Sequence, residues 1–368
     1  MGKGQLHADE SRWLADPVTG ARLRQVTAAP CIHHHPFFFV PAYDRDMRYL
    51  FFVSHRSGRP QIYAQLRQSG QLLQLTDHDD LIAWSLHPTR DGQHLLFTTR
   101  RGAFRLHLDN LQEDLLYAFE QQPNQQPNEQ PGMVGAAMGT TTVSHDDRWW
   151  AIPLRQQARS RMLFIDLKNG RSHITLDNAS IGHPQFCPDD PELIFYAGPM
   201  TDRLWIASVD GRLNERLYQR AHELQWITHE SWIAGSFEVA FVDWPHGMQA
   251  IDVRTRAVRS ITDFPAWHAY PDDSGQMFVC DTTFPDRGLH LFGARQDGAP
   301  ARLLCLSQAS SIGAHWAHPF PYNNGPVEVY APQHTHPHPR FSPDGQWVLF
   351  TSDRSGHAQL YECEVRID

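Results

Sequence analysis

The stretch Tyr49-Leu50-Phe51-Phe52-Val53-Ser54 decides the fold, because variants of it recur along the whole chain. It returns as Leu95-Leu96-Phe97-Thr98-Thr99, then as Trp149-Trp150-Ala151-Ile152-Pro153 and Leu193-Ile194-Phe195-Tyr196-Ala197. Val239-Ala240-Phe241-Val242-Asp243, Met277-Phe278-Val279-Cys280-Asp281 and Val348-Leu349-Phe350-Thr351-Ser352 bring the count to seven. Most copies are about 40–55 residues apart, the period of propeller blades. Each has a second apolar run downstream, such as Gln61-Ile62-Tyr63, Leu204-Trp205-Ile206 or Gln359-Leu360-Tyr361. Turns such as Ser342-Pro343-Asp344-Gly345 and Cys187-Pro188-Asp189-Asp190 precede the strands, and helical periodicity is nearly absent. The reading is an all-β fold, a seven-bladed β-propeller forming a single domain over residues 1–368.

The chain ends predict how the ring closes. The last repeat stops at Glu362-Cys363-Glu364-Val365, one strand short of a four-stranded blade. The missing type of strand stands at the other end, as Ala21-Arg22-Leu23-Arg24-Gln25-Val26-Thr27. Residues near 22–27 are therefore expected to complete the last blade, which removes a long unpaired edge. Two stretches interrupt the repeats. One is Gln/Pro-rich, about residues 121–131, and reads as a flexible loop. The other, about residues 310–332, carries His315, Trp316, His318, Phe320 and Tyr322, and reads as a long functional loop.

Composition narrows the class. The formal net charge of −9 argues against a nucleic-acid binder, which usually carries a basic face. No apolar run is long enough for a membrane span, and the N-terminus lacks the apolar core of a signal peptide. The five cysteines are scattered, without a C-x-x-C pair, as in a reducing compartment. A cytoplasmic location is the expectation, with the oligomeric state left open.

Histidine is the unusual residue, with 23 copies. Many stand just ahead of the repeated strand, where the innermost strand of a blade would line the central channel. These are His33-His34-His35-Pro36, Gly182-His183-Pro184, Thr228-His229-Glu230, Trp267-His268-Ala269 and Gln333-His334-Thr335-His336-Pro337-His338-Pro339. His183 lies five residues before Pro188 and His338 five before Pro343, so the two are equivalent. His336 and His338 share one face of an extended segment. Rotational repetition then gathers imidazoles from several blades at one end of the channel. Neutral imidazole binds Mn²⁺, Fe²⁺, Ni²⁺ or Zn²⁺ and also serves as a general base. A G-x-S-x-G nucleophile elbow, a P-loop and a dinucleotide fingerprint are all missing.

Taken together, these motifs resemble the oligogalacturonate lyases, the seven-bladed propellers of polysaccharide lyase family 22. The resemblance is carried by Gly182-His183-Pro184, Asp202-Arg203-Leu204-Trp205, Thr228-His229-Glu230-Ser231-Trp232, Thr335-His336-Pro337-His338-Pro339 and Leu349-Phe350-Thr351-Ser352-Asp353. It implies a Mn²⁺ ion held by His268, Gln333, His336 and His338, with another divalent first-row metal as an alternative. It implies His229 as the general base and Arg203 as a substrate-binding arginine, with His34 and His183 as further residues of the cleft. The implied reaction is β-elimination on a short acidic oligosaccharide such as digalacturonate, or on a related unsaturated or glucuronate-containing uronide.

The chain also departs from that pattern. His34-His35-Pro36 replaces a more polar stretch, the two long loops look peculiar to this chain, and the connection from Arg155 to Arg161 is short. Two other uses of the histidines stay open on the residues alone. One is a propeller whose histidines bind iron and activate oxygen. The other is a non-catalytic binding platform with structural histidines.

Overall fold

The structure is a computed structural model describing residues 2–119, 139–156, 159–282, 285–310 and 335–365. The Gln/Pro-rich loop, Gln333 and His334 lie outside the described residues, as does the 310–332 loop apart from Ser310. The described residues form seven antiparallel sheets and contain no α-helix. Each repeated run is the second strand of its blade. Tyr49–Ser54, for example, pairs with His33–His34 on its inner side and with Gln61–Leu66 on its outer side. Five of the six residues in Tyr49–Ser54 are buried, on both faces of the strand. Neighbouring blades stack on both faces, so these strands read as continuous apolar runs rather than as alternation. Phe51, Val53, Ile62 and Ala64 pack with Leu86, Leu95 and Phe97 of the next blade, and the other blade interfaces are built alike. A fully buried Leu or Phe side chain contributes about 1.5–3 kcal/mol, so the stability of the ring resides in these interfaces.

The N-terminal segment closes the ring. Arg22–Gln25 pairs with Gln359–Glu364, aligning Leu23 with Cys363 and Gln25 with Tyr361. Arg12–Ala15 adds a fifth strand outside it, while Leu6–His7 adds one to the first blade. One short segment thus edges both blades that meet at the seam.

A buried ion cluster fixes that junction. The Glu362 carboxylate is 1% exposed and lies 2.8 Å from Arg24 Nη2 and 2.8 Å from Arg67 Nη1. Tyr43 Oη donates to it at 2.7 Å. Its burial and the Glu362 charge push the Tyr43 phenol well above its ordinary pKa. Removing one partner of a buried pair strands the other charges. Glu362→Ala is expected to cost about 3–5 kcal/mol of stability, read from denaturant unfolding. A loss within experimental error would show that the cluster does not secure the closure.

Candidate metal centre and active site

The innermost strands all begin at the same end of the channel, and the histidines sit at that end. His183 is the second residue of Gly182–Cys187, and His229 lies within Trp226–Ile233. His268 immediately precedes Ala269–Pro271, and His336 and His338 precede Arg340–Phe341. Three of these side chains are aimed by the same backbone device. His183, His229 and His338 have φ of 45°, 47° and 48°, the left-handed region. The ladder slips between Gly182 and Gln185, and again between Thr228 and Ser231. Such bulges re-aim side chains beside active sites, and each non-glycine residue held there costs about 1–3 kcal/mol.

His268, His336 and His338 converge. Their candidate ligand atoms all lie within 4.8 Å of one another, and all three residues are buried. His268 Nδ1 lies 2.8 Å from Asp281 Oδ2, and the His268 backbone N–H donates to Oδ1 at 2.8 Å. The backbone N–H of His338 donates to Asp281 Oδ2 at 3.1 Å. Asp281 therefore orients both strands and can accept a hydrogen bond from the Nδ1–H of His268. That leaves Nε2 of His268 as a lone-pair donor, the usual support for a metal-bound imidazole. Burial pushes the Asp281 carboxyl up to about 7, against the pull of these N–H groups and of His336. Burial first, then neighbouring imidazoles, hold His268 and His338 well below the ordinary histidine range. Among the described residues, the buried Nε2 of His338 has no hydrogen-bond partner. Three converging imidazoles without thiolates suit a divalent first-row metal.

Beside this trio stands an ion pair. Arg203 Nε donates to Glu230 Oε1 at 2.6 Å, and Glu230 is fully buried. His183 Nδ1 lies 3.2 Å from Glu230 Oε2 and 3.1 Å from Arg203 Nη2. One ring nitrogen can serve only one of these at a time, donating to the carboxylate or accepting from the guanidinium. The nearby Arg203 and His183 hold Glu230 far below the usual carboxylate range, against its burial. Among the described residues, the remaining edge of Arg203 meets only the Met200 thioether, 3.6 Å from Nη1. His229 lies between this pair and the trio, its ring centroid 4.4 Å from that of His268 and 6.1 Å from that of His183. Burial, then His268 and His183, keep it neutral.

These arrangements find counterparts in known proteins. The sequence profile of the family described as Pectate_lyase22, oligogalacturonate lyase, matches residues 1–367. The chain belongs to the oligogalacturonate lyase family. The oligogalacturonate lyase of Dickeya dadantii (strain 3937) is 25% identical over 394 residues, covering 99% of this chain and 98% of its own. A crystal structure of oligogalacturonate lyase from Vibrio parahaemolyticus superimposes with a TM-score of 0.81 at 20% identity, over 99% of both chains. A structure of an oligogalacturonate lyase in complex with manganese gives 0.82 at 22% identity, over 100% of this chain and 99% of that one. The propeller expected from the repeats is the fold these relatives share.

Within this lyase-family scaffold the expected site residues fall into three groups. His268, His336 and His338 come together as one cluster. Arg203, His183 and His229 assemble beside it, with Glu230 as their anchor. His34 stands further off. It is buried, its Nδ1 lies 3.0 Å from the His35 carbonyl, and its ring stacks on Trp84 at 3.9 Å. Trp84 in turn lies 5.8 Å from the His338 ring, so His34 borders the site through that indole.

Three features escaped the sequence reading. Glu230 would face away from His229 in a regular strand, but the bulge lets both be buried in the channel wall. Asp281 ends one copy of the repeated strand and looks there like a turn residue. The third is Phe37-Phe38-Phe39, a buried plug inside the channel. Phe37 packs on His183, His268 and His338 at 5.4, 5.9 and 4.8 Å. Phe38 packs on His229 at 5.5 Å. The apolar run is visible in the sequence, but it lies between the inner strand His33–His34 and the repeated strand Tyr49–Ser54, where apolar content alone does not place it in the channel.

Other buried histidines lead to an expectation of acid sensitivity. His87 accepts from the Val143 N–H through Nε2 and can donate from Nδ1 to the Pro88 carbonyl at 2.9 Å. Burial lowers His87 and His33 to about 3 and His35 to about 4, from 6.5. The unfolded chain therefore binds protons that the folded chain refuses. Their contribution is complete above pH 6.5 and is lost as pH falls toward these folded values. The loss is about 1.4 kcal/mol per pH unit for each histidine. Denaturant unfolding at about pH 7 and about pH 5 is expected to show a marked drop, and equal stability would contradict it.

Proposed function

We propose that the chain is a metal-dependent lyase of short oligogalacturonides, acting by β-elimination. The observation that carries this reading is the pairing of a three-imidazole cluster with a neutral histidine and an arginine fork in one channel end. His268, His336 and His338 would hold the metal, with Gln333, just ahead of His336 and His338 in the chain, as the fourth ligand. The manganese complex of the related lyase supports Mn²⁺ as that ion. When bound, the ion supplies positive charge to the uronate carboxylate, which acidifies the C5 proton.

The other roles follow from position. Arg203, held rigidly by Glu230, offers its outer N–H edge to the same carboxylate. His229 accepts the C5 proton. Its Nδ1 is enclosed by protein, so Nε2 is the nitrogen left to receive it. The C4–oxygen bond then breaks, the departing oxygen takes up one proton in place of the one lost from C5, and an unsaturated uronide remains, without added water or a covalent intermediate. The Phe37-Phe38 floor excludes water beneath the reacting residues, which strengthens charge interactions above it. Trp84 borders the cleft, and His34, stacked behind it, would act on the sugar through that indole.

Incubation of the Mn²⁺-loaded protein with a uronide panel, digalacturonate first, tests this by the ultraviolet absorbance of the unsaturated product. No turnover on any member, with metal bound, would refute it. Arg203→Lys is expected to lower kcat/KM by about 10²-fold, because an ammonium cannot serve Glu230 and a substrate carboxylate as a planar fork does. Steady-state kinetics checks this, and an unchanged kcat/KM would remove Arg203 from the site.

A further inference from the structure

The channel has a second compartment. Along the inner strands the histidines come first, and the residues that follow them line a cavity toward the opposite end. Gln185 and Phe186 follow His183, Tyr270 and Asp273 follow His268, and Arg340 follows His338. The phenylalanine plug separates the two ends, since Phe39 lines this cavity while also packing on His183 at 5.6 Å. Chemistry at the histidine end does not use these residues.

Arg340 dominates the compartment. It is 8% exposed and faces two adjoining hollows on this side of the plug. Among the described residues it has no carboxylate partner. Nη1 donates to the Phe38 carbonyl at 3.1 Å, and the guanidinium lies 4.2 Å from the Tyr270 ring centroid. A guanidinium has five N–H donors, and a buried cation without a counter-charge is costly. Arg90 lines the same hollows, with Nη1 3.0 Å from His145 Nδ1 and Nη2 3.8 Å from Asp273. Asp147 is occupied by the backbone N–H groups of Arg90 and Asp91. Two guanidinium groups therefore face a recess where Asp273 stands 3.8 Å from Arg90 and, among the described residues, no carboxylate pairs with Arg340. Stacking on Tyr270 leaves the in-plane N–H fork of Arg340 available, a geometry that matches a carboxylate in bidentate fashion. Pro41, Pro88 and Phe341 supply apolar walls for the body of such a ligand.

We propose that this end of the channel is a second binding site, for a small carboxylate-bearing molecule, anchored by Arg340 and assisted by Arg90. Isothermal titration calorimetry of the Mn²⁺-loaded protein with galacturonate, acetate and neutral galactose tests it. The wild type is expected to bind galacturonate at a site that galactose does not fill. Comparable acetate binding would identify the carboxylate alone as the recognised group, whereas much tighter galacturonate binding would identify a sugar acid. Arg340→Met keeps the apolar stem and should weaken that site roughly tenfold or more, the value of a charge-assisted pair. Arg90→Gln should weaken it less, and it decides the question if Arg340→Met fails to fold. Carboxylate binding that is undetectable at millimolar concentration, or equal in wild type and both variants, overturns the proposal. Neither outcome bears on the lyase reading, which is judged by turnover.

Discussion

His229→Ala is expected to abolish turnover and to leave the metal in place. His229 is buried next to the imidazole cluster, yet it is not among the residues whose ligand atoms converge. Its neutral ring lies between the cluster and the Arg203–Glu230 pair, where a uronate carboxylate and its α-carbon would meet. Removal of a positioned general base costs about 10²–10⁴-fold in rate. The loss should appear in kcat on digalacturonate, while manganese content per chain stays at the wild-type value. Alanine in the left-handed conformation of this position adds strain, so a thermal melt must show that the variant folds. Metal loss equal to that of a ligand variant would contradict the division of roles.

His338→Ala, by contrast, is expected to remove the metal and turnover together. His338 is 1% exposed, its ring centroid lies 4.1 Å from that of His268, and its backbone N–H shares the Asp281 carboxylate. No other described side chain is placed to replace its Nε2. Loss of one of three protein imidazoles is expected to lower Mn²⁺ affinity by 10-fold to 100-fold or more, judging from the loss caused by removing mere outer-shell partners. Electron paramagnetic resonance titration of free Mn²⁺ measures it. His336→Ala should behave alike, and it tests the ligand role at a position without left-handed backbone. Wild-type Mn²⁺ affinity in both variants would exclude the cluster as the metal centre.

The fold was legible because stacked blades bury both faces of one strand, so the same apolar run appears seven times. The seam was legible because Ala21 to Thr27 supplies the strand type that the last repeat lacks. The histidines were legible because register relative to the turn places His183 and His338 at equivalent points of two blades. Their shared left-handed backbone confirms that equivalence. The residues that support them were harder to find. Asp281 acts through a carboxylate shared between two strands, and no local pattern marks such a bridge. Glu230 is buried behind Arg203 because a bulge breaks the alternation on which strand reading depends. Phe37-Phe38-Phe39 plugs the channel instead of joining a blade, which apolar content alone does not reveal. Arg340 follows the His-Pro motif and reads as a surface strand residue until the cavity around it is seen.

The most direct test of the account is mass spectrometry of the products formed from digalacturonate by chelator-stripped protein, with and without added Mn²⁺. The account predicts cleavage only with metal, giving an unsaturated uronide and a galacturonate whose summed mass equals that of the substrate. Products heavier by one water, or equal cleavage without metal, would contradict it.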